Sequence, residues 1–238
     1  MCASSTKRIP EELVGVWRRI SLSMGDEPPS ENSRVVWIQV RARFADIRTF
    51  IEGAPGGAES KSFAGHSSWD APRLTFHHAI DLDEPSEDVG VLSWRGGDLV
   101  ESGEIESKGQ RIKFEEVWRR TPLEGNALLA LEAQSERLPS GRTHALEGAL
   151  VRVGAHAIAI ADRRPRGLDF AAAYLRRRST RWEVQWSIGD VHQLPLPPEP
   201  AGVAEEETSL ELPIPGQSST SRWLVVERDV APGKNQCN

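Results

Sequence analysis

The chain has 238 residues, of which 38% are hydrophobic and 27% are charged, and its formal net charge is −6. This length is enough for one large or two ordinary domains, and the composition is typical of a soluble globular protein. No window approaches the roughly 18 apolar residues of a membrane helix, so we predict no membrane span. The negative charge argues against non-specific binding to nucleic acid, and we expect no nucleic-acid partner.

Short apolar runs punctuated by turn residues fill the first half of the chain. Near the N-terminus, residues 11–20 ("EELVGVWRRI") predict a turn of helix that leads into a strand. The following runs are rich in Val, Ile, Trp and Phe and are separated by Gly, Pro, Asp and Ser clusters, which is typical of strands at hairpin spacing. These runs are "SRVVWIQVRARFADIRTF", "SFAGHSSW", "PRLTFHHAIDL", "VGVLSW", "DLVESGEIES" and "RIKFEEVWRR".

The same pattern returns after Pro122, for example in "HALEGALVRVG", "HAIAIADRR", "LDFAAAYLRRR" and "TRWEVQWSIGD". Helical periodicity is scarce, so the predicted fold class is mainly β with antiparallel pairing. A short internal echo, Ala-Asp-x-Arg, occurs at 45–48 and again at 161–164, about half the chain further on. Two similar units of about 110 residues each would explain this echo.

Residues 192–221 differ from the rest because they concentrate Pro, Glu, Ser and Gly and contain almost no aromatic residue. Such a composition buries too little apolar surface to offset the entropy of ordering, so we predict a long mobile loop between two strands. The sequence leaves open whether it is a plain surface loop or a segment that binds a protein partner.

The cysteines and histidines give no sign of a metal site or a cofactor. Cys2 and Cys237 lie at opposite ends of the chain, so neither a disulfide framework nor a metal-binding spacing can be built from them. The six histidines are scattered, and the glycine pairs are turn residues rather than a phosphate-binding loop. We therefore predict no metal, no cofactor and a reducing, cytoplasmic location.

The stretch "TFHHAID" (75–81) places two consecutive histidines on opposite faces of one predicted strand. Side chains alternate along a strand, so His78 shares a face with Phe76 and Ile80, whereas His77 points the other way. A histidine on an apolar face can be a core residue that donates to a backbone carbonyl, or it can belong to a site. The sequence alone leaves both interpretations open.

Several stretches together resemble the fungal Hri family. They occur in the order and at the approximate spacing of that family, mostly within residues 15–122: "ISLSMGDEPPSENS" (20–33), "FADIR" (44–48), "SFAG" (62–65), "FHHAIDLDEPSEDVG" (76–90), "GGDLVESGEI" (96–105) and "FEEVWRR" (114–120). The resemblance implies two lipocalin-like antiparallel β-barrels in tandem, which we place at 10–122 and 126–232. The family is named for interaction with a casein kinase I, and the resemblance assigns no catalytic residue.

Within such a barrel, polar side chains that share a strand face with apolar ones would point inward. This geometry predicts a polar set of Asp46, Arg48, His78 and Glu116, with His78, Glu116 and Asp46 as candidate acid–base groups. The predicted ligand contacts are Arg48, Phe44, Phe76, Phe114, Trp118 and Arg120. Buried charges must pair with one another or with a ligand, so structural ion pairs at a barrel rim are the alternative interpretation.

Three functions are compatible with this set. The first is a cytoplasmic binding protein for a small, largely apolar ligand that is held in the first barrel. The second is an enzyme, namely an isomerase, hydratase or cyclase that uses acid–base catalysis on a hydrophobic biosynthetic intermediate. The third, suggested only by the family name, is an adaptor that binds a protein through residues 192–221.

Overall fold

The computed structural model describes residues 8–51, 59–107, 109–125, 127–198, 208–215 and 218–229. The chain divides into two units between Pro122 and Leu123. Strands dominate both units, so the prediction of a mainly β fold is confirmed. Within the described residues, no helix is long and apolar enough to span a membrane.

The first unit is a closed antiparallel barrel of eight strands. A 3₁₀ turn at Glu11–Leu13 leads into the first strand, as predicted. The strands are β1 (Gly15–Met24), β2 (Ser33–Gln39), β3 (Arg43–Phe50), β4 (Lys61–Asp70), β5 (Arg73–Asp81), β6 (Glu87–Arg95), β7 (Asp98–Ser107) and β8 (Gln110–Arg120). Each strand pairs with its neighbours in sequence, and β1 also pairs with β8, which closes the barrel and removes its free edges.

Period-two alternation determines which side chains enter the barrel. Along β5, for example, Leu74, Phe76 and His78 are buried while the residues between them are half-buried or exposed. A core cluster around Trp17 and Trp37 collects such inward residues from every strand of the barrel. This cluster fills part of the interior and leaves the remainder for polar side chains.

The second unit is an open antiparallel sheet. Its strands are β9 (Leu128–Arg137), β10 (Thr143–Ala145), β11 (Glu147–Val153), β12 (His156–Asp162), β13 (Phe170–Arg178), β14 (Arg181–Ile188), β15 (Ser209–Pro213) and β16 (Thr220–Arg228). The order across the sheet is β14-β13-β12-β11-β9-β16-β15, with β10 paired to β9. A second closed barrel is therefore not shown by the described strands.

The two sheets nevertheless share one strand order. If β9 is matched with β1 and β16 with β8, the open sheet repeats the barrel's order with the equivalent of β6 missing from the described residues. The chain between β14 and β15 contains a 3₁₀ turn at Val191–Gln193 and then residues 199–207, which lie outside the described ones. The topology thus supplies a structural parallel to the echo seen in the sequence.

The prediction of one continuous loop over 192–221 needs correction. Strand β15 lies inside this segment and pairs with β16, which itself begins at Thr220. Leu210 and Leu212 alternate along β15 and are buried in the core of the second unit. Because the segment is rich in Pro and Glu, its composition predicts a loop, and this short run of alternating leucines does not stand out as a strand. Residues 199–207 and 216–217 lie outside the described residues.

Candidate functional site

A cavity of about 650 Å³ lies inside the first barrel. Aromatic rings from the core cluster form its apolar wall, and charged side chains from β1, β3, β7 and β8 line the rest. Eight of the nine site residues predicted from the sequence line it: Phe44, Asp46, Arg48, Phe76, His78, Phe114, Glu116 and Trp118. Their placement in one cavity leaves their individual roles as predictions.

The apolar wall is a network of rings in edge-to-face contact. The ring of Phe76 lies 4.9 Å from that of Phe44 and 5.4 Å from that of Trp37, measured between centroids. Trp118 lies 5.7 Å from Trp37 on the other side. Such contacts contribute about 0.5–1.5 kcal/mol per pair beyond area burial, so the wall is held rigidly. Trp37 and Phe63 belong to this wall, and the sequence interpretation missed both.

Arg120 is not among the residues that line the cavity, and its role as a ligand contact stays a prediction. Its side chain donates a hydrogen bond to the backbone carbonyl of Val14. Its guanidinium carbon lies 5.6 Å from the ring centre of Trp17, a cation–π contact. Arg120 shares the alternation of Glu116 and Trp118, but it lies at the end of β8, beside the turn that precedes β1.

A buried ion-pair network connects β1, β3 and β8. Glu116 accepts a hydrogen bond from Nη1 of Arg19 at 2.5 Å, and Nη1 of Arg48 lies 3.5 Å from the same carboxylate oxygen. Nε of Arg48 also donates to Asp46 at 2.9 Å. Arg19 in turn donates to Glu31 at 2.8 Å. Barrel closure brings β1 beside β8 and thereby supplies Arg19, which the strand-by-strand sequence interpretation could not place.

Burial and neighbouring charges shift the pKa values of this network. Burial raises the pKa of Asp46 above its usual value, although Arg48 beside it acts in the opposite direction. Burial also opposes the charge of Arg48, but the carboxylates of Asp46 and Glu116 outweigh this and raise the pKa of Arg48. The guanidinium of Arg48 therefore stays charged and keeps its partners ordered.

Glu101 is a buried carboxyl that the sequence interpretation missed. It lies directly opposite Glu116 in the pairing of β7 with β8, and both side chains line the cavity. Burial and the facing Glu116 raise the pKa of Glu101 to about 8, so it holds its proton at neutral pH. Its Oε2 is hydrogen-bonded to the indole Nε1 of Trp118, 3.1 Å away. Within the described residues, no arginine forms an ion pair with Glu101.

A glycine makes room for this carboxyl, and it is the one local signal that could have found it. A Cβ at Gly90 on β6 would lie 2.3 Å from Oε1 of Glu101, closer than any real contact. Gly90 therefore keeps the space that the Glu101 side chain occupies. In the sequence, however, a glycine in a strand does not say which side chain it accommodates.

His78 forms a buried pair with a carboxylate three residues further on. Its Nδ1 lies 2.7 Å from Oδ2 of Asp81 and 3.2 Å from Oγ of Ser86. Its ring stacks on that of Phe63 with the centroids 4.1 Å apart. Its Nε2 is buried and has no hydrogen-bond partner among the described residues, although Oδ2 of Asp88 is 3.5 Å away. The imidazole is thus oriented through Nδ1, and the side chain lines the cavity wall with its Nε2 near Asp88.

Comparison with known proteins agrees with this architecture. The family model described as "Protein HRI1" matches residues 15–227. The chain belongs to the HRI1 protein family. No curated protein matches the chain.

Among solved structures, the fold is similar to the crystal structure of the uncharacterized protein YLR301w from Saccharomyces cerevisiae. The two share 14% identity with a TM-score of 0.66, and the match covers 90% of this chain and 98% of the yeast chain. At this identity the likeness establishes the fold alone. Binding of a casein kinase I, and a partner site in residues 192–221, stay predictions for this HRI1 family member.

Acidic side chains surround the mouth of the barrel. Six of them line the cavity from β7 and from β6 with the turn before it: Asp83, Glu84, Glu87, Asp88, Glu104 and Glu106. Lys61 is the basic residue among the described ones at this end, and it pairs with Asp83 at 3.1 Å. In the described part of the chain, no group of three or more His, Cys, Asp or Glu is arranged to hold a metal ion.

Proposed function

We propose that the first barrel binds one small molecule with a largely apolar body and a polar end. The observation that carries this proposal is a cavity of about 650 Å³ with an aromatic wall on one side and ordered charged groups on the other. Ligand sites for small molecules measure about 300–1,000 Å³ and combine apolar walls with a few fixed polar groups. Arg48, Glu116 and His78 would orient the polar end.

The ion-pair network supports binding because it pre-orders the polar groups. Glu116 is held by two arginines and His78 by Asp81, so neither side chain has to be immobilised when a ligand enters. Ordering a flexible side chain on binding costs about 0.5–1.5 kcal/mol, and a preformed network avoids that cost. Nε2 of His78 has no hydrogen-bond partner within the described residues, and a ligand donor would supply one.

Tryptophan fluorescence tests the proposal directly, since Trp37 and Trp118 line the cavity. Titration with the apolar fluorophore N-phenyl-1-naphthylamine is expected to quench the protein emission to saturation at one equivalent. Phe114→Leu removes one aromatic contact with the ligand, worth about 0.5–1.5 kcal/mol, and should raise Kd several-fold. The control Trp94→Leu changes an exposed aromatic residue outside the cavity and should leave Kd unchanged. Absence of saturable quenching would refute the proposal.

A second candidate function, acid–base catalysis, is favoured by one observation. If Nδ1–H of His78 donates to the carboxylate of Asp81, Nε2 carries the lone pair and can accept a proton from a substrate. Glu101, which keeps its proton at neutral pH, can donate one. An isomerase, hydratase or cyclase needs such an acid and such a base in one cavity.

Chromatography coupled to mass spectrometry separates the two functions. The protein is incubated with a small-molecule extract, and each compound is followed by mass and retention time. A catalyst would convert a compound to one with altered retention, and His78→Asn would abolish this conversion while the melting temperature stays close to that of the wild type. A binder would only deplete a compound from the free pool. If His78→Asn and wild type give identical conversion, the histidine has no catalytic role.

A further inference from the structure

The titratable groups that line the cavity of the first barrel are unbalanced. Ten carboxyl side chains line it among the described residues, six of them exposed at its mouth, against three basic side chains and one histidine. Low-dielectric walls focus the field of such a set into the cavity and concentrate ions of the opposite charge there. The imbalance predicts the sign of a ligand's charge if a site exists, but a site needs independent evidence.

The two buried arginines do not offset this imbalance for a ligand. Arg19 is occupied by Glu31 and Glu116, and Arg48 by Asp46 and Glu116. An anionic ligand would have to displace carboxylates that already hold these guanidinium groups, and breaking a buried ion pair is strongly unfavourable. We therefore expect neither arginine to be available to an anionic ligand.

Glu101 is a buried carboxyl that forms no ion pair within the described residues, although the charge of Arg48 acts on it. Several groups face it from the packed strands: Glu116 and Trp118 from β8, Asp88 and Gly90 from β6, and Arg48 from β3. A carboxyl that is buried beside another carboxyl is held neutral, and a cation placed against it would stabilise its ionised form. A ligand cation would add to the stabilisation that Arg48 already gives the ionised form of Glu101.

His78 gives the independent evidence that a ligand with hydrogen-bond donors fits. Its side chain is 2% exposed and lines the cavity, and its Nδ1 is engaged by Asp81. Its Nε2 has no hydrogen-bond partner within the described residues, and Oδ2 of the exposed Asp88 lies 3.5 Å from it. A buried polar atom left without a partner costs about 1–3 kcal/mol, which a ligand N–H donor would recover. An ammonium group carries such donors, whereas a carboxylate or an ether does not.

We infer that the ligand of the first barrel is a small organic cation, an amine on an apolar body, with its ammonium group against Glu101 and its body against the aromatic wall. This inference rests on the proposed binding function and names its ligand class. The rings of Phe44, Phe76 and Trp37 would add cation–π attraction to the charge pairing. Entry of the cation ionises Glu101, and its proton leaves for solvent.

Isothermal calorimetry with three matched probes tests this inference. The probes share a naphthalene body and carry a cationic, a neutral or an anionic group: 2-(aminomethyl)naphthalene, 2-naphthalenemethanol and 2-naphthoate. At pH 8.5 the amine is expected to bind at least tenfold more tightly than the alcohol, and the carboxylate more weakly than both. Because Glu101 must ionise, amine affinity should rise between pH 6.5 and 8.5, whereas alcohol affinity should not.

Two variants place the charge recognition on Glu101. Glu101→Gln should reduce amine affinity to that of the alcohol, and Gly90→Ala should weaken it as well by displacing the same carboxyl. Glu115→Gln is the matched control because Glu115 lies on β8 outside the cavity and pairs with Arg95. A preference for the amine that survives Glu101→Gln overturns the assignment to this residue.

The outcomes also distinguish this inference from the proposed function. If amine and alcohol bind with equal, saturable affinity, the cation inference fails and the binding function stands. If none of the three probes produces saturable heat, both fail together.

Discussion

Replacing the ionisable carboxyl of Glu101 should make the stability of the protein less sensitive to pH. Glu101 is 6% exposed, and its pKa rises from 4.5 to about 8 on folding because burial and Glu116 disfavour the ionised form. The folded state thus holds this proton more tightly than the unfolded state does. The stabilisation that the protonated Glu101 gives to the folded state is complete below about pH 4.5, and it is lost as the pH rises to about 8.

The size of the effect follows from linkage. One such group lowers the free energy of unfolding by about 1.4 kcal/mol for each pH unit within that window. Glu101→Gln mimics the protonated form and cannot ionise. The free energy of unfolding of the variant should therefore rise relative to that of the wild type by roughly 3 kcal/mol between pH 5.5 and 7.5. Gln keeps an oxygen that can accept the hydrogen bond from Nε1 of Trp118.

Urea unfolding followed by tryptophan fluorescence at several pH values measures this difference. The control Glu104→Gln changes an exposed carboxylate on the same strand and should follow the wild type at every pH. If the stability gap between Glu101→Gln and the wild type stays constant from pH 5.5 to 7.5, Glu101 does not hold an anomalous proton, and the account of the cavity's electrostatics is wrong.

Two further substitutions test the packing. Arg19→Met leaves the buried Glu116 with only the more distant Arg48 as a cationic partner, so it should lower the free energy of unfolding in urea by about 3–5 kcal/mol. The control Arg95→Met removes an exposed ion pair and should change the unfolding midpoint little. Leu212→Ala in β15 should lower the free energy of unfolding by about 2–5 kcal/mol if this strand belongs to the core. The control Leu196→Ala changes an exposed side chain and should be near neutral. Equal effects of the two substitutions would contradict the placement of a core strand within residues 192–221.

Alternation along single strands was enough to find most of the site. Phe44, Asp46 and Arg48 follow one another at period two on β3, and the structure places all three in the cavity. This works because a strand with one face in a barrel interior must send every second side chain inward. The same rule does not separate Arg120, which is outside the cavity lining, from Glu116 and Trp118, because alternation does not say how far along a strand a cavity extends.

The missed residues depend on which strands become neighbours. Arg19 matters because β1 closes against β8, and Glu101 matters because it is in register with Glu116 on the adjacent strand. Neither pairing has a local signature, since closure and register depend on contacts between residues far apart in sequence. Alternation predicts His78 as an inward residue, but the same alternation assigns its partner Asp81, three residues further on, to the opposite face.

The Ala-Asp-x-Arg motif occurs in both units, but its Asp and Arg line the cavity in the first unit and form a partly exposed ion pair in the second. Asp46 and Arg48 both lie within β3, so period two sends both inward, where Glu116 joins them. Strand β12 ends at Asp162, and Arg164 therefore falls in a 3₁₀ turn with its side chain 40% exposed, paired with Asp162 at 2.7 Å. The strand end, rather than the motif, decides whether the arginine enters an interior. The second unit has a different interior ion pair, because Arg163, just beyond the end of β12, is buried and pairs with Glu136 at 3.0 Å.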